Sequence, residues 1–368
     1  MNDLTIYLTR SFSILGTSLW EYWYRSKQFQ EISGFNFTQG VFFGTPAIGG
    51  YPHEYMVRCF RSESDLKRMK DSFHKIIETK PDLALRVLES AFNMYTAERS
   101  MQRKQPEDQK VLRKNLQFEY HSIEEVCDTF VSIAVYTAIL PYFWFDETAP
   151  ESRIQELCRK LRADTLYPSF FHKVLLPYLE GRTGIAREDL NLFTFNEIRA
   201  LDQSGREVFE EAILKRRNSI SGKDFMYLVI DGVASLEFVS REESVRRIGE
   251  YMGDVTELVG IPVSFGTREI VTGVARVLTG SDISNITFND GDILVTMNSN
   301  PAYIPLISKA GAVLSEEGGS ASHTSVIVQE GLVRNIPTVM GIKRLLDVVV
   351  DNSTVTVNMK NGSVILHP

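Results

Sequence analysis

The sequence predicts a multidomain chain in two parts of different fold class, an all-helical unit over residues 1–254 followed by an α/β unit over residues 255–368. Three observations carry this. A chain of 368 residues is longer than one ordinary core requires. Up to about residue 252 the apolar residues recur at helical spacing. Beyond Gly253 they gather into short β-branched runs bounded by turn residues.

The helical reading begins at Ser11–Glu31, where Phe12, Leu15, Leu19, Trp20, Trp23 and Tyr24 make one aromatic face. Further helices are predicted over 62–79, 82–101, 122–140, 151–163, 165–180, 194–217 and 223–252. Pro81, Pro141, Pro150 and Gly181 punctuate them, as residues that break or end a helix should. The glycine-, proline- and aromatic-rich stretch Gly40–His53 interrupts this pattern and predicts a loop or short hairpin. In the second unit strands are predicted at Gly273–Leu278, Asp292–Thr296, Gly311–Leu314, Thr338–Met340 and Thr354–Val357. Asn289-Asp290-Gly291 and Lys360-Asn361-Gly362 supply turns. Helices are predicted at Pro301–Lys309 and Ser322–Glu330. Gly253, Gly260 and Gly266 bracket Asp254–Pro262, a segment without an apolar helix face that reads as a hinge between the units.

Composition narrows the function. Hydrophobic residues make up 43% and charged residues 24%, an ordinary soluble balance, and the net charge of −7 does not suit nucleic acid or an anionic membrane surface. No apolar run approaches the roughly 18 residues of a membrane span. The N-terminus lacks the basic and apolar regions of an export signal, so a cytoplasmic location is expected. Cys59, Cys127 and Cys158 are far apart and form no CxxC pair, which predicts buried free thiols and no metal site.

One segment carries chemistry. In Val313-Leu314-Ser315-Glu316-Glu317-Gly318-Gly319-Ser320-Ala321-Ser322-His323-Thr324-Ser325-Val326-Ile327-Val328 a strand runs into two glycines that permit a tight turn. Ser320 or Ser322 can then cap a helix, which places His323 at a helix N-terminus among small side chains. Unpaired N–H groups and the helix dipole favour a phosphate there and disfavour imidazolium. A neutral histidine is a nucleophile toward phosphorus. Covalent phosphoryl transfer on His323 is the chemistry these residues suggest, with Gly318, Gly319, Ser320, Ser322 and Thr324 as phosphate supports.

The segment resembles the phosphohistidine motif of the phosphoenolpyruvate-utilising enzymes, among them pyruvate phosphate dikinase, phosphoenolpyruvate synthase and rifampicin phosphotransferase. Gly318, Gly319, Ser322 and His323 match a Gly-Gly-x-x-(Ser/Thr/Cys)-His signature, and Ile336-Pro337-Thr338-Val339-Met340-Gly341 matches its downstream strand. Gly260–Gly266 resembles the entry to that domain, and Gly291–Thr296 with Asn300-Pro301 resembles its central strand and helix start. The chain departs from the pattern where Ala321 replaces a threonine, where Gln329 replaces a basic residue, and in a longer connection at Gly331–Asn335.

The resemblance implies a β/β/α phosphohistidine domain that swivels between two stations. It implies a partner too, because this chain has no Gly-rich phosphate cradle outside the His323 loop. The expectation is one component of a split dikinase. A separate ATP-grasp protein would use ATP and Mg to phosphorylate His323, this chain itself binding no cofactor. Residues 1–254 would hold a small-molecule acceptor. Leu192–Leu201 with Arg216-Arg217 also resembles the helical part of such enzymes. His53 and Arg334 are the residues of this chain nominated to line the acceptor site. Two alternatives stand beside this reading: a phosphocarrier that passes phosphate to a protein, and a catalytically silent binding protein.

Overall fold

The computed structural model describes residues 4–34, 37, 39–48, 53–102, 120–146, 150–163, 170–202, 206–253, 255–266, 268–280, 283–297, 301–317 and 336–367. These form two sheets, each with its own helices.

The first part departs from the all-helical expectation. Its strands are β1 (Leu4–Phe12), β2 (Gln39–Pro46), β3 (Tyr55–Ser62), β4 (Asp224–Ile230) and β5 (Val233–Val239), in the order β1-β3-β2-β4-β5 with every neighbour antiparallel. Its helices are α1 (Ile14–Tyr24), α2 (Lys27–Ser33), α3 (Glu63–Thr79), α4 (Pro81–Gln102), α5 (Ile123–Ala134), α6 (Leu140–Trp144), α7 (Arg153–Ala163), α8 (Leu176–Thr183), α9 (Arg187–Leu190), α10 (Phe195–Asp202), α11 (Arg206–Ile220) and α12 (Arg241–Met252). The helices match the predicted segments closely up to Ile220. The exception is 223–252, predicted as one helix but folded as the β4–β5 hairpin followed by α12.

The sheet is hidden from periodicity because its middle strands are covered on both faces. Every residue of β3 is buried. On one face Tyr55, Val57 and Cys59 join Phe42, Phe225 and Tyr227 against the helices; on the other Phe43, Phe60 and Met226 pack on Ile248 of α12. A strand buried on both sides reads as a continuous apolar run, without the alternation that betrays a half-exposed strand. The predicted hairpin at Gly40–His53 is real in part: β2 turns back into β3, and residues 49–52 lie outside the described set. Gly40 and Gly44 belong to β2 itself. A Cβ on Gly44 would lie 2.0 Å from the Phe225 ring, so only glycine lets that ring lie across the strand.

The second sheet follows the expected strands. They are β6 (Leu258–Val259), β7 (Ile261–Ser264), β8 (Ile270–Leu278), β9 (Ile293–Thr296), β10 (Ala312–Ser315), β11 (Thr338–Met340), β12 (Thr354–Asn358) and β13 (Ser363–His367). Strands β8, β9, β10 and β11 are mutually parallel, and α13 (Ile304–Ile307) covers one face at Leu294 and Val313. A short helix, α14 (Leu345–Val348), follows β11.

The strand order is β6-β13-β12-β8-β9-β10-β11-β7, whose two ends are joined through Gly260, so the sheet curls nearly into a barrel. This corrects the hinge. Val259 pairs with Ser363 and Ile261 with Met340, and Gly260 donates its N–H to Gly362 at 3.0 Å. Gly260 is thus a barrel corner. Gly253, at the end of α12 with φ of 80°, is left outside both sheets.

Candidate functional site

Residues 318–335 lie outside the described set, so Gly318, Gly319, Ser320, Ser322, His323, Thr324 and Arg334, with the predicted helix Ser322–Glu330, have no structural account. What is described is the stem from which that segment departs. It leaves the C-terminal end of β10, flanked by parallel β9 and β11, the edge at which open α/β sheets place their ligands.

The stem is tightly held. Glu316 N–H donates to Thr296 O at 3.1 Å and Glu317 N–H to Met297 O at 2.7 Å. The Ser315 hydroxyl, wholly buried, donates between Met297 O and Glu317 O at 3.0 and 2.7 Å. A reactive loop that follows such a stem starts from a defined position.

The first part of the chain reaches this same edge. Ile48, in the β2–β3 connection, accepts from the N–H groups of Thr279 and Gly280 just past β8, and its own N–H donates to Thr279 Oγ1 at 2.9 Å. Met56 of β3 joins the apolar core of the second sheet, beside Met297 and Leu314 among others. Between these contacts Arg58, only 1% exposed, projects from β3. Its Nη2 donates to both carboxylate oxygens of Glu316, at 2.8 and 2.9 Å, and its Nη1 to Asp347 Oδ1 at 2.6 Å.

Around this cation lies a cluster of charges. Arg241 of α12 donates to Asp224, to Thr45 and to the Leu346 carbonyl, and approaches Asp347 at 3.4 Å. Arg344 donates to Asp347 Oδ2 at 2.8 Å, to Val245 O at 3.2 Å and to the carbonyl of Gly253. It thereby satisfies the carbonyl at the C-terminal end of α12 and braces the helix at Val245. Glu316 also accepts the Leu346 N–H at 3.0 Å. Burial opposes the charge on Arg58, but Glu316 and Asp347 outweigh it and hold the guanidinium firmly protonated. Burial would likewise raise the Asp347 carboxyl, yet Arg58, Arg344 and Arg241 keep it below its ordinary value.

The two parts therefore meet through fixed ion pairs and through Met56, and the Glu316 grip falls two residues before Gly318. An Arg inside the apolar run Tyr55–Phe60 was the signal available in the sequence, since a buried charge demands a partner. Nothing in the sequence named Glu316 as that partner.

His53 is described. It sits at the β2–β3 connection in the left-handed region, with φ of 61°, and is half-buried. Burial pushes its pKa down, against the pull of Asp189 and with that of Arg217, which is itself paired to Asp189 at 2.8 and 2.9 Å. The imidazole is therefore neutral near pH 7, the state a base requires. Arg334, nominated with it, lies outside the described residues. Cys59, Cys127 and Cys158 are buried and form no disulfide, as the sequence predicts. Among the described residues no group of His, Cys, Asp or Glu is arranged to hold a metal ion, and no helix is long and apolar enough to cross a membrane.

Comparison with known proteins matches residues 288–362 to the family described as "PEP-utilising enzyme, mobile domain". The chain is 30% identical over 185 residues to a rifampicin phosphotransferase from Streptomyces sp, 49% of this chain and 20% of that protein. It is 33% identical over 106 residues to a probable phosphoenolpyruvate synthase from Staphylothermus marinus, 28% of this chain and 12% of that protein. To a pyruvate kinase from Lactobacillus delbrueckii subsp. bulgaricus it is 28% identical over 160 residues, 43% of this chain and 25% of that protein. The chain thus spans a quarter or less of the length of these relatives. Over residues 288–362, around the stem that Arg58 grips, the chain carries the mobile domain of the PEP-utilising enzymes.

Proposed function

We propose that the chain is the phosphohistidine-carrying component of a split dikinase. A partner of the ATP-grasp type phosphorylates His323 from ATP with Mg, and the chain delivers the phosphoryl group to a small-molecule oxygen held by its first part. The observation that carries this reading is the mobile-domain match that contains His323. The likeness to rifampicin phosphotransferase extends over 185 residues, beyond the 75 of that match, which supports a shared acceptor-side segment.

In the reaction a ring nitrogen of His323 attacks the β-phosphorus of ATP, forming an N–P bond as the P–O bond to AMP breaks, and water then removes the terminal phosphate as Pi, leaving one phosphoryl group on His323. An acceptor oxygen then displaces the imidazole and takes the phosphoryl group. N–H groups and small hydroxyls of the Gly318–Thr324 segment neutralise the charge that accumulates on the phosphoryl oxygens. His53, neutral at pH 7, is the base nominated to take the acceptor proton. Arg334 would bring positive charge to the same step.

A domain that travels must break the contact at Arg58 and return its charges to water. Interfaces dominated by ion pairs separate with less loss of apolar burial than a continuous core does. Gly253 lies between α12 and the second sheet, and a change in direction there would release the Arg344 bond to its carbonyl.

Intact-mass measurement after incubation with ATP, Mg and the ATP-grasp protein tests the proposal. One acid-labile phosphoryl group is expected on the wild-type chain and none on His323→Ala, with unchanged circular dichroism. The purified chain alone should release no AMP from ATP. Phosphate retained in His323→Ala, or acid-stable phosphate on Ser322, overturns the reading. Transfer to a protein in place of a small molecule turns it into the phosphocarrier alternative.

A further inference from the structure

A separate cavity of about 410 Å³ opens on the first part of the chain, between α10, α11 and β5. Its volume falls within the range of roughly 300–1,000 Å³ in which small-molecule sites occur. It lies on the helical side of the first sheet. Leu236 and Phe238, which line it, pair with Tyr227 and Phe225, whereas Arg58 and Met56 meet the second sheet from the opposite face.

The wall of this cavity presents a guanidinium that has lost its freedom. The centre of the Arg216 guanidinium lies 5.3 Å from the Phe193 ring centroid and 5.4 Å from that of Phe238. Its Nη2 donates to Glu197 Oε1. Glu197 is fixed in turn by a capping box at the start of α10. Its Oε2 accepts from Thr194 N–H at 2.7 Å and from Thr194 Oγ1 at 2.9 Å, and its N–H donates back to Thr194 Oγ1 at 3.3 Å. The cap orients the carboxylate, the carboxylate orients the guanidinium, and two rings lie close enough to attract its charge. The remaining N–H groups of Arg216 make no hydrogen bond among the described residues. Lys215 adds a second, exposed cation to the lining.

We propose that this cavity binds an amphipathic organic carboxylate, its head on Arg216 and Lys215 and its flat apolar body on Phe193, Phe238 and Leu236. Three arguments support it. The lining holds two cations and one carboxylate, and that carboxylate is already engaged by Thr194 and Arg216. A planar guanidinium fork matches a carboxylate in two parallel hydrogen bonds. Immobilisation before binding removes an entropic cost that a free arginine would bear. The site requires neither His323 nor a nucleotide, so it stands apart from the phosphoryl-transfer reading.

The test is calorimetric titration of the full chain with 2-naphthoate and, separately, with neutral 2-naphthol. Saturable binding of one naphthoate per chain is expected, with naphthol at least about tenfold weaker, the loss of one charge-assisted contact. Ala212→Trp, which fills the cavity, should abolish naphthoate binding. Lys215→Glu, at an exposed position that leaves folding intact, should weaken it about tenfold. Absence of saturable binding, equal affinity for naphthol, or affinity unchanged in both variants overturns the proposal.

Discussion

Arg58→Ala will cost about 3–5 kcal/mol of stability, because it leaves two carboxylates buried without their shared cation. Glu316 and Asp347 have side chains 6% and 0% exposed, and Arg58 bonds both. Arg241 and Arg344 still reach Asp347, so the larger penalty falls on Glu316, whose other partner is the Leu346 N–H. Urea unfolding of wild type and variant measures the loss, and hydrogen exchange at the Glu316, Glu317 and Leu346 amides locates it. A loss under about 1 kcal/mol would mean that solvent reaches the pair, as at surface bridges. Double replacement of Arg58 and Glu316 by methionine should recover much of the loss, since apolar isosteres relieve the unpaired charge.

Acid should act on the same contact at Asp347. Its carboxyl is held below the ordinary value of 3.8 in the folded chain, where the pull of its arginines exceeds the opposing effect of burial. A group depressed on folding contributes stability that is present above its unfolded value and disappears as pH falls through its folded value. The contact should therefore hold from neutral pH down to about 4 and weaken only in stronger acid. Loosening near pH 6 would assign it to a different group.

Gly362→Ala will cost about 2–4 kcal/mol through two additive effects. Gly362 has φ of 73°, where an L side chain is strained, and its Cβ would stand 2.1 Å from the Gly260 carbonyl oxygen. That oxygen belongs to the corner that joins β6 to β7, so it moves only if the sheet opens. Thermal unfolding reads the effect directly. Gly181→Ala is the natural comparison, because Gly181 lies within α8 with nothing inside 4 Å of the added methyl. There alanine should be neutral or stabilising by up to about 1 kcal/mol. Equal effects at the two positions would mean that the corner is free to shift.

The β4–β5 hairpin is legible in the sequence. Ile230-Asp231-Gly232-Val233 carries the Asp-Gly pair that marks a two-residue hairpin, and Asp231 and Gly232 take φ of 49° and 86°. A helical reading of 223–252 overlooked it because Phe225, Tyr227, Leu228 and Val229 form an apolar run whose length suits either state. The Gly-rich stretch before β3 was similarly ambiguous. Gly40 and Gly44 serve the passage of Arg61 and Phe225 across a strand, a role visible only once those side chains have neighbours.

The sequence by itself determined the helices up to Ile220, the strands β8 to β12 within a residue or a few, and the domain that residues 288–362 match. Each of these is written in neighbouring residues: capping serines, β-branched runs, turn glycines and a Gly-Gly-x-x-Ser-His motif. Only the tertiary structure decided that β1 to β5 form a sheet across more than two hundred residues, that Gly260 closes a barrel, and that Arg58 grips Glu316. Arg58 and Glu316 are 258 positions apart. An ion pair at that separation leaves no period in the chain, because burying either charge alone is costly and only their mutual attraction in the folded protein offsets it, so neither residue records the other.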